Sequence, residues 1–398
     1  MNRETLVLRN RHMAEAFHST APKHHLRRLL LSAAARLPVP NAPTQERNRI
    51  LLIRPDHLGD VLLTTPAIHA LRAANPEAEI HALVGPWSAD VMAAYPEVDL
   101  VLTLPFPGFS RTPKESLRSP YDLAARTARQ LRAIGYSSAV IFRPDHWWGA
   151  LVAKLAGIPE RIGYNLPDVA PFLTTALEHR QEHVVKQSLR LVERWTGPLP
   201  PETVVYRFPV DSASEGYVRG YLQEWGIPDG ARLLCIHPGT GTWVKHWQEE
   251  RWASVADTLA EQLNARVVFT GGDHELALVQ RIAGQMQQRA CIMAGDTRVG
   301  QLAALFKRAA VVLGPDSGPL HLAAAAGAPT VTLYGPADPA EFGPWGPPQK
   351  HLVIASDIGC HPCRVLDWGS DDPTFHPCMR DITVFRVLDA ARRAANSR

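Results

Sequence analysis

Three stretches of this chain carry residue types suited to moving a group off a diphosphate. The first is Arg54-Pro55-Asp56-His57-Leu58-Gly59-Asp60-Val61. Asp60 follows a glycine that permits a tight turn, and its carboxylate can take the proton from an attacking hydroxyl as a general base. Asp is also a favoured helix N-cap, which is the purely structural reading, and Asp56 and His57 are rival bases in the same loop. The second stretch runs from His237 to Trp247. Thr240, Gly241 and Thr242 can offer amides and hydroxyls to phosphate oxygens, while Lys245 brings a cation to the charge that builds on a departing diphosphate. The spacing is not that of a Walker loop. The third begins Gly314-Pro315-Asp316-Ser317-Gly318-Pro319-Leu320-His321 and continues into an alanine-rich run. Asp316 or Ser317 can cap that helix, Gly318 opens it, and His321 follows one turn later. Open amides and the positive end of the dipole suit a diphosphate there.

Other residues extend this set. Glu275, in Thr270-Gly271-Gly272-Asp273-His274-Glu275, can hold a ribose, or it is simply an acid at a helix start. Arg143 can meet acceptor phosphates or carboxylates, with His146 beside it, and Trp147 and Trp148 are either sugar platforms or cover for the next helix. Cys360, Cys363 and Cys378, with His361 or His376 as a fourth, are ligand types for a structural zinc or iron. Reduced cysteines in a proline-rich loop are the alternative.

The elements that must position these residues follow from hydropathy. Ile50–Ile53 is a continuous apolar run suited to a strand buried on both faces of a parallel sheet. A helix over 60–74 follows, then strands at 80–84, 100–104 and 139–142, with helices at 89–95 and 121–134. The alternation restarts with a strand at 233–236, a helix at 248–263, and strands at 267–269, 311–313 and 330–333. This is the signature of βαβ units, so an α/β protein with two Rossmann-like doubly wound domains is expected. The boundary falls near the prolines 198, 200 and 201. Three segments result: an extension over 1–48, an N-terminal domain over 49–205 and a C-terminal domain over 206–398. The candidate residues all fall at strand ends, where such sheets bind ligands, facing a central cleft.

At 398 residues, 45% hydrophobic and 20% charged, the chain has the composition of a globular enzyme. A net charge of +3 gives no field for nucleic acid. No apolar run reaches a membrane span, no secretory signal is evident, and five cysteines fit a reducing compartment, so the cytoplasm is expected. Residues 1–49 hold nine Lys or Arg against three Asp or Glu. There Leu26, Leu29, Leu30, Ala33 and Leu37 recur at helical spacing, with Arg27, Arg28 and Arg36 off the stripe. Peripheral contact with an anionic membrane surface is one reading; a helix packed on the enzyme is the other.

The ordered loops resemble glycosyltransferase family 9, the ADP-heptose:lipopolysaccharide heptosyltransferases. The resemblance runs from about Arg49 to the C-terminus and is carried by four blocks. They are Gly59-Asp60-Val61 with Thr65-Pro66-Ala67, Gly157 to Tyr164, His237 to Trp247, and Asp316 to Ala323 with Gly335-Pro336. It implies a GT-B architecture and an inverting, metal-independent transfer of heptose from an ADP-sugar to a lipopolysaccharide core acceptor, with no cofactor. On that template Asp60 is the base and Lys245 steadies the phosphates. Thr240, Gly241 and Thr242 line the same loop, Glu275 meets the ribose, and Asp316, Ser317, Gly318 and His321 cradle the diphosphate sugar. A protein or other glycan as acceptor, or a non-catalytic nucleotide-sugar binder, are the competing readings. A dinucleotide oxidoreductase lacks its GxGxxG after the first strand.

Overall fold

The computed structural model describes residues 7–8, 22–42, 48–110, 116, 118–366 and 377–397. The chain divides into two compact units, one of residues 13–205 and the other of residues 206–398 with residues 1–12.

The first unit holds a six-stranded sheet of β1 (Arg49–Arg54), β2 (Glu79–Val84), β3 (Leu100–Thr103), β4 (Ser138–Ile141), β5 (Glu160–Tyr164) and β6 (Thr175–Leu177). All neighbours pair in parallel, in the order β3-β2-β1-β4-β5-β6. The helices are α1 (Pro22–Arg36), α2 (Leu58–Leu62), α3 (Thr65–Ala74), α4 (Ala89–Ala93), α5 (Ser119–Ile134), α6 (Trp147–Leu155), α7 (Val184–Arg190) and α8 (Glu193–Thr196). Central β1 buries Ile50, Leu51, Leu52 and Ile53 almost completely, each contributing about 1.5–3 kcal/mol of apolar transfer. Its lack of alternation is that of a strand covered on both faces.

The helix expected over 60–74 is two helices. Pro66 has no amide to bond the Leu62 carbonyl, and the Thr65 hydroxyl donates to that carbonyl at 2.8 Å instead. Thr64 donates to the Asp60 carbonyl at 2.9 Å across the break. α5 stops at Gly135, whose φ of +75° gives the left-handed cap.

The second unit repeats the plan. Its strands are β7 (Leu233–Ile236), β8 (Arg266–Phe269), β9 (Ala290–Ile292), β10 (Val311–Pro315), β11 (Thr330–Tyr334) and β12 (His351–Ala355), in the order β12-β11-β10-β7-β8-β9. The helices are α9 (Ser212–Glu224), α10 (Glu249–Leu263), α11 (Leu276–Gly284), α12 (Val299–Arg308), α13 (Gly318–Ala325), α14 (Pro339–Phe342), α15 (Pro377–Asp381) and α16 (Val384–Ala395). Read from the first strand outward, the two sheets have the same order. In each, the chain reverses its direction of travel between the first and fourth strands, at β1/β4 and β7/β10. Such a switch point leaves a crevice at the strands' carboxyl ends.

Candidate active site

The β1/β4 switch point gathers a charged cluster. Arg54, last residue of β1, places Nε 2.9 Å from Asp56 Oδ2 and Nη2 3.6 Å from Asp60 Oδ1. From the end of β4, Arg143 pairs with the other oxygen of Asp56, bridges to Asp145 at 2.6 Å, and lies 5.0 Å over the Phe109 ring. Burial alone would raise the Asp56 carboxyl, but Arg54 and Arg143 outweigh it and hold it below the usual range. Trp87 Nε1 and Ser88 Oγ donate to the Asp56 carbonyl at 2.9 and 3.0 Å, fixing the loop. Asp56 is thus buried and committed to two guanidiniums. Asp60, by contrast, has a side chain 36% exposed, on the first turn of α2. It is not the cap of that helix, a position taken by His57. Arg54, an ionic end to an apolar strand, escaped the sequence reading; its signal was a charge closing the run Ile50–Ile53.

At the β7/β10 switch point, Lys245 Nζ meets Asp316 Oδ2 at 2.5 Å. His321 Nε2 lies 3.7 Å from Asp316 Oδ1, and the Tyr206 hydroxyl donates to the His321 carbonyl at 3.0 Å. Burial pushes the Asp316 carboxyl up, but His321 and Lys245 together hold it low. Ser317 is the N-cap of α13, yet its hydroxyl makes no capping bond and is buried without a partner, as is His321 Nδ1. The Thr240 hydroxyl accepts from the Thr242 amide at 3.3 Å, and the Thr242 hydroxyl donates to the Leu366 carbonyl at 2.9 Å. Gly241 is exposed, with open space around its Cα. Glu275 accepts the Gly272 amide at 2.8 Å and lies 3.6 Å from His237, whose Nδ1 is 3.0 Å from Thr270 Oγ1. A Cβ on Gly239 would overlap the Glu275 carboxylate and force it to move. Thr240, Lys245, Asp316, Ser317, Gly318 and His321 thus follow the ends of β7 and β10, and Glu275 follows the end of the adjacent β8.

Residues 124–367, more than half of the chain, match Glycosyltransferase family 9 (heptosyltransferase). The chain belongs to that family. It is therefore a glycosyltransferase, and its fold is of the GT-B type. Over 355 residues it is 26% identical to lipopolysaccharide heptosyltransferase 2 of Escherichia coli K12, covering 86% of this chain and 97% of the relative. A family 9 glycosyltransferase from Veillonella parvula superposes with a TM-score of 0.74 at 24% identity, covering 89% of this chain and 99% of that one. The E. coli heptosyltransferase WaaC with ADP gives 0.65 at 22% identity, over 87% and 99%.

Other expected site residues of this family 9 chain fall elsewhere. His146 is buried against Phe106 and Phe109 at ring distances of 5.3 and 5.8 Å, with both ring nitrogens unpartnered, so it presents no face to an acceptor. Trp147 is half-buried on the same core, and Trp148 donates to the Pro120 carbonyl at 3.0 Å. Both stand on the first turn of α6, Trp148 buried in this core and Trp147 partly exposed. Trp247 is likewise a core residue, T-stacked on Trp252 at 4.8 Å. Cys363 and Cys378 are buried and Cys360 half-buried. Among the described residues no three His, Cys, Asp or Glu side chains group as metal ligands, so the expected zinc or iron site finds no support. His376 lies outside the described residues.

Proposed function

We propose that this enzyme transfers a heptose from ADP-heptose to the inner core of lipopolysaccharide, with inversion and without a metal ion. The observation that carries the reading is the family 9 match, and each switch point supplies a group it needs: a part-exposed acid, Asp60, at β1/β4 and a part-buried cation, Lys245, at β7/β10. Asp60 takes the proton of the acceptor hydroxyl as its oxygen attacks the anomeric carbon. The bond from that carbon to the phosphate oxygen breaks, and ADP leaves with the electron pair. Lys245 and the amides at the start of α13 receive the charge that develops on the diphosphate. One displacement inverts the centre and needs no protein nucleophile.

Thr240, Gly241, Thr242, Ser317 and Gly318 line the phosphates, Asp316 and His321 meet the sugar side of the donor, and Glu275 holds the ribose. Arg143, 36% exposed, offers the acceptor's anionic groups a guanidinium. The ADP in the E. coli WaaC structure and the lipopolysaccharide in the relatives' names support this choice of donor and acceptor. The acceptor being lipid-linked, the enzyme works at the cytoplasmic face of the inner membrane.

Calorimetric titration with ADP, UDP, GDP and NAD tests the donor, and preference for ADP is expected. Asp60→Ala should keep ADP affinity within about two-fold and lose transfer by about 10²–10⁴-fold. Lys245→Ala should weaken both. Transfer by Asp60→Ala near the wild-type rate would move the base elsewhere, and tight binding of NAD alone would sink the transferase reading.

A further inference from the structure

Helix α1 is attached to the first unit the wrong way round for a helix that merely completes a core. Its inward side is largely polar. Arg27 and Arg28 both pair with Asp168, and Lys154 donates to the Ala35 carbonyl at the helix C-terminus. Leu31, at 7% exposure, is the leucine of α1 that is buried among those described. The segment after the helix is strapped down as well. Arg132 donates to the Pro40 and Asn41 carbonyls at 2.7 and 3.0 Å, and the Ala42 amide donates to the Gly157 carbonyl at 2.8 Å. Gly157, at φ +70°, leaves no room for a Cβ against Pro40.

The opposite side is apolar and faces water. Leu29 is 68% exposed, Leu30 63% and Leu37 64%, with Ala33 on the same stripe. Helical spacing puts these four on one strip, roughly 12 Å long at 1.5 Å per residue. Burial of leucine is the ordinary driving force for docking a helix, so polar anchors that hold three leucines outward point to something that covers them. The charge around the strip says what kind of thing. The helix carries four Lys or Arg and no Asp or Glu, and Arg36 and His25 are exposed beside the strip. A second copy would bring the same cations against these, and the strip is narrow beside the roughly 800 Å² per partner of a stable interface.

We propose that the outward face of α1 docks on an anionic phospholipid bilayer. The helix lies parallel to the surface, with Leu29, Leu30 and Leu37 at the acyl boundary and the basic residues among the phosphates. Among the described residues no helix is long and apolar enough to cross a membrane, so the contact is one of lying on the surface. This goes beyond the transfer reaction, and its test uses neither donor nor acceptor.

The full chain is floated with vesicles of phosphatidylcholine alone and of phosphatidylcholine mixed with phosphatidylglycerol. The wild type should float with the anionic vesicles, release in high salt, and ignore the neutral ones. The double variant Leu29→Ser, Leu30→Ser should lose partitioning by at least about ten-fold, and Arg36→Gln by about five-fold. An unchanged melting temperature and ADP titration in each variant would show that the fold survives. Equal flotation of wild type and double variant would overturn the proposal, as would a wild type that binds neither vesicle. So would a wild-type dimer, seen by sedimentation, that the two serines dissociate, because a second copy would then be the cover. None of these outcomes bears on whether ADP-heptose is the donor.

Discussion

Asp56 and Asp60 lie four residues apart, one in the loop after β1 and one on the first turn of α2, and their surroundings give them opposite work. Asp56 is the anion between two arginines, so its value is structural; removing it leaves Arg54 and Arg143 facing each other. A sequence cannot separate the two acids, because what separates them is Arg143, contributed by a strand 87 residues later. His146 makes a related point. Burial drives its ring down to about 4 from 6.5, despite the pull of Asp56, so it is neutral in the fold. Between about pH 4 and 6.5 the unfolded chain binds a proton there and the folded chain does not. Stability should therefore fall as pH drops through that window, by up to about 3 kcal/mol, and be unaffected above it. His351 is depressed to about 4 and adds in the same direction. Denaturant unfolding at pH 5.0 and 7.5 should show the slope, and His146→Phe should remove part of it.

Strands were the legible elements, and their ends were legible as sites. Runs such as Leu233–Ile236 have no period to confuse, and loops rich in Gly, Asp and Thr follow them directly. The edges were harder to read. β6 and β9 are only three residues long at the sheet margins, where one side lacks cover and the apolar signal fades; the interior β5, opened by Glu160 and Arg161, and the apolar edge strand β12 went unread too. The α2/α3 break was missed because the apolar spacing runs through it; only the missing amide of Pro66 marks it. Position 239 tests how tightly the β7 loop is built. Gly239→Ala should displace the Glu275 carboxylate; on the proposal that this carboxylate holds the ribose, ADP binding should weaken by about ten-fold and UDP binding equally. Parallel titrations of ADP and UDP check this, and unchanged ADP affinity would remove Glu275 from the ribose.

At the scale of the molecule, the two sheets share one strand order, and each brings its functional loops to the same place in that order. That repetition was readable as alternating elements although no sequence repeat is detectable, because hydropathy period survives where residue identity does not. The attachment of the basic extension was not readable. Its anchors, Asp168, Lys154, Arg132 and Gly157, lie more than 90 residues downstream and belong to no local pattern. Gly157→Ala should push Pro40 off the body at a strained φ, a cost of about 1–3 kcal/mol locally. Brief trypsin digestion should then cut after Arg36 several-fold faster than in the wild type, with the rest of the chain cleaved at its usual rate.

The Lys245–Asp316 pair means that the donor crevice is not a bare cation waiting for phosphate. A diphosphate entering it competes with a carboxylate already in place, and two anions then share one ammonium. Part of the attraction of Lys245 for the phosphates therefore goes into separating it from Asp316. Asp316→Asn, which frees the ammonium, should bind ADP several-fold more tightly than the wild type, and parallel calorimetric titrations check this.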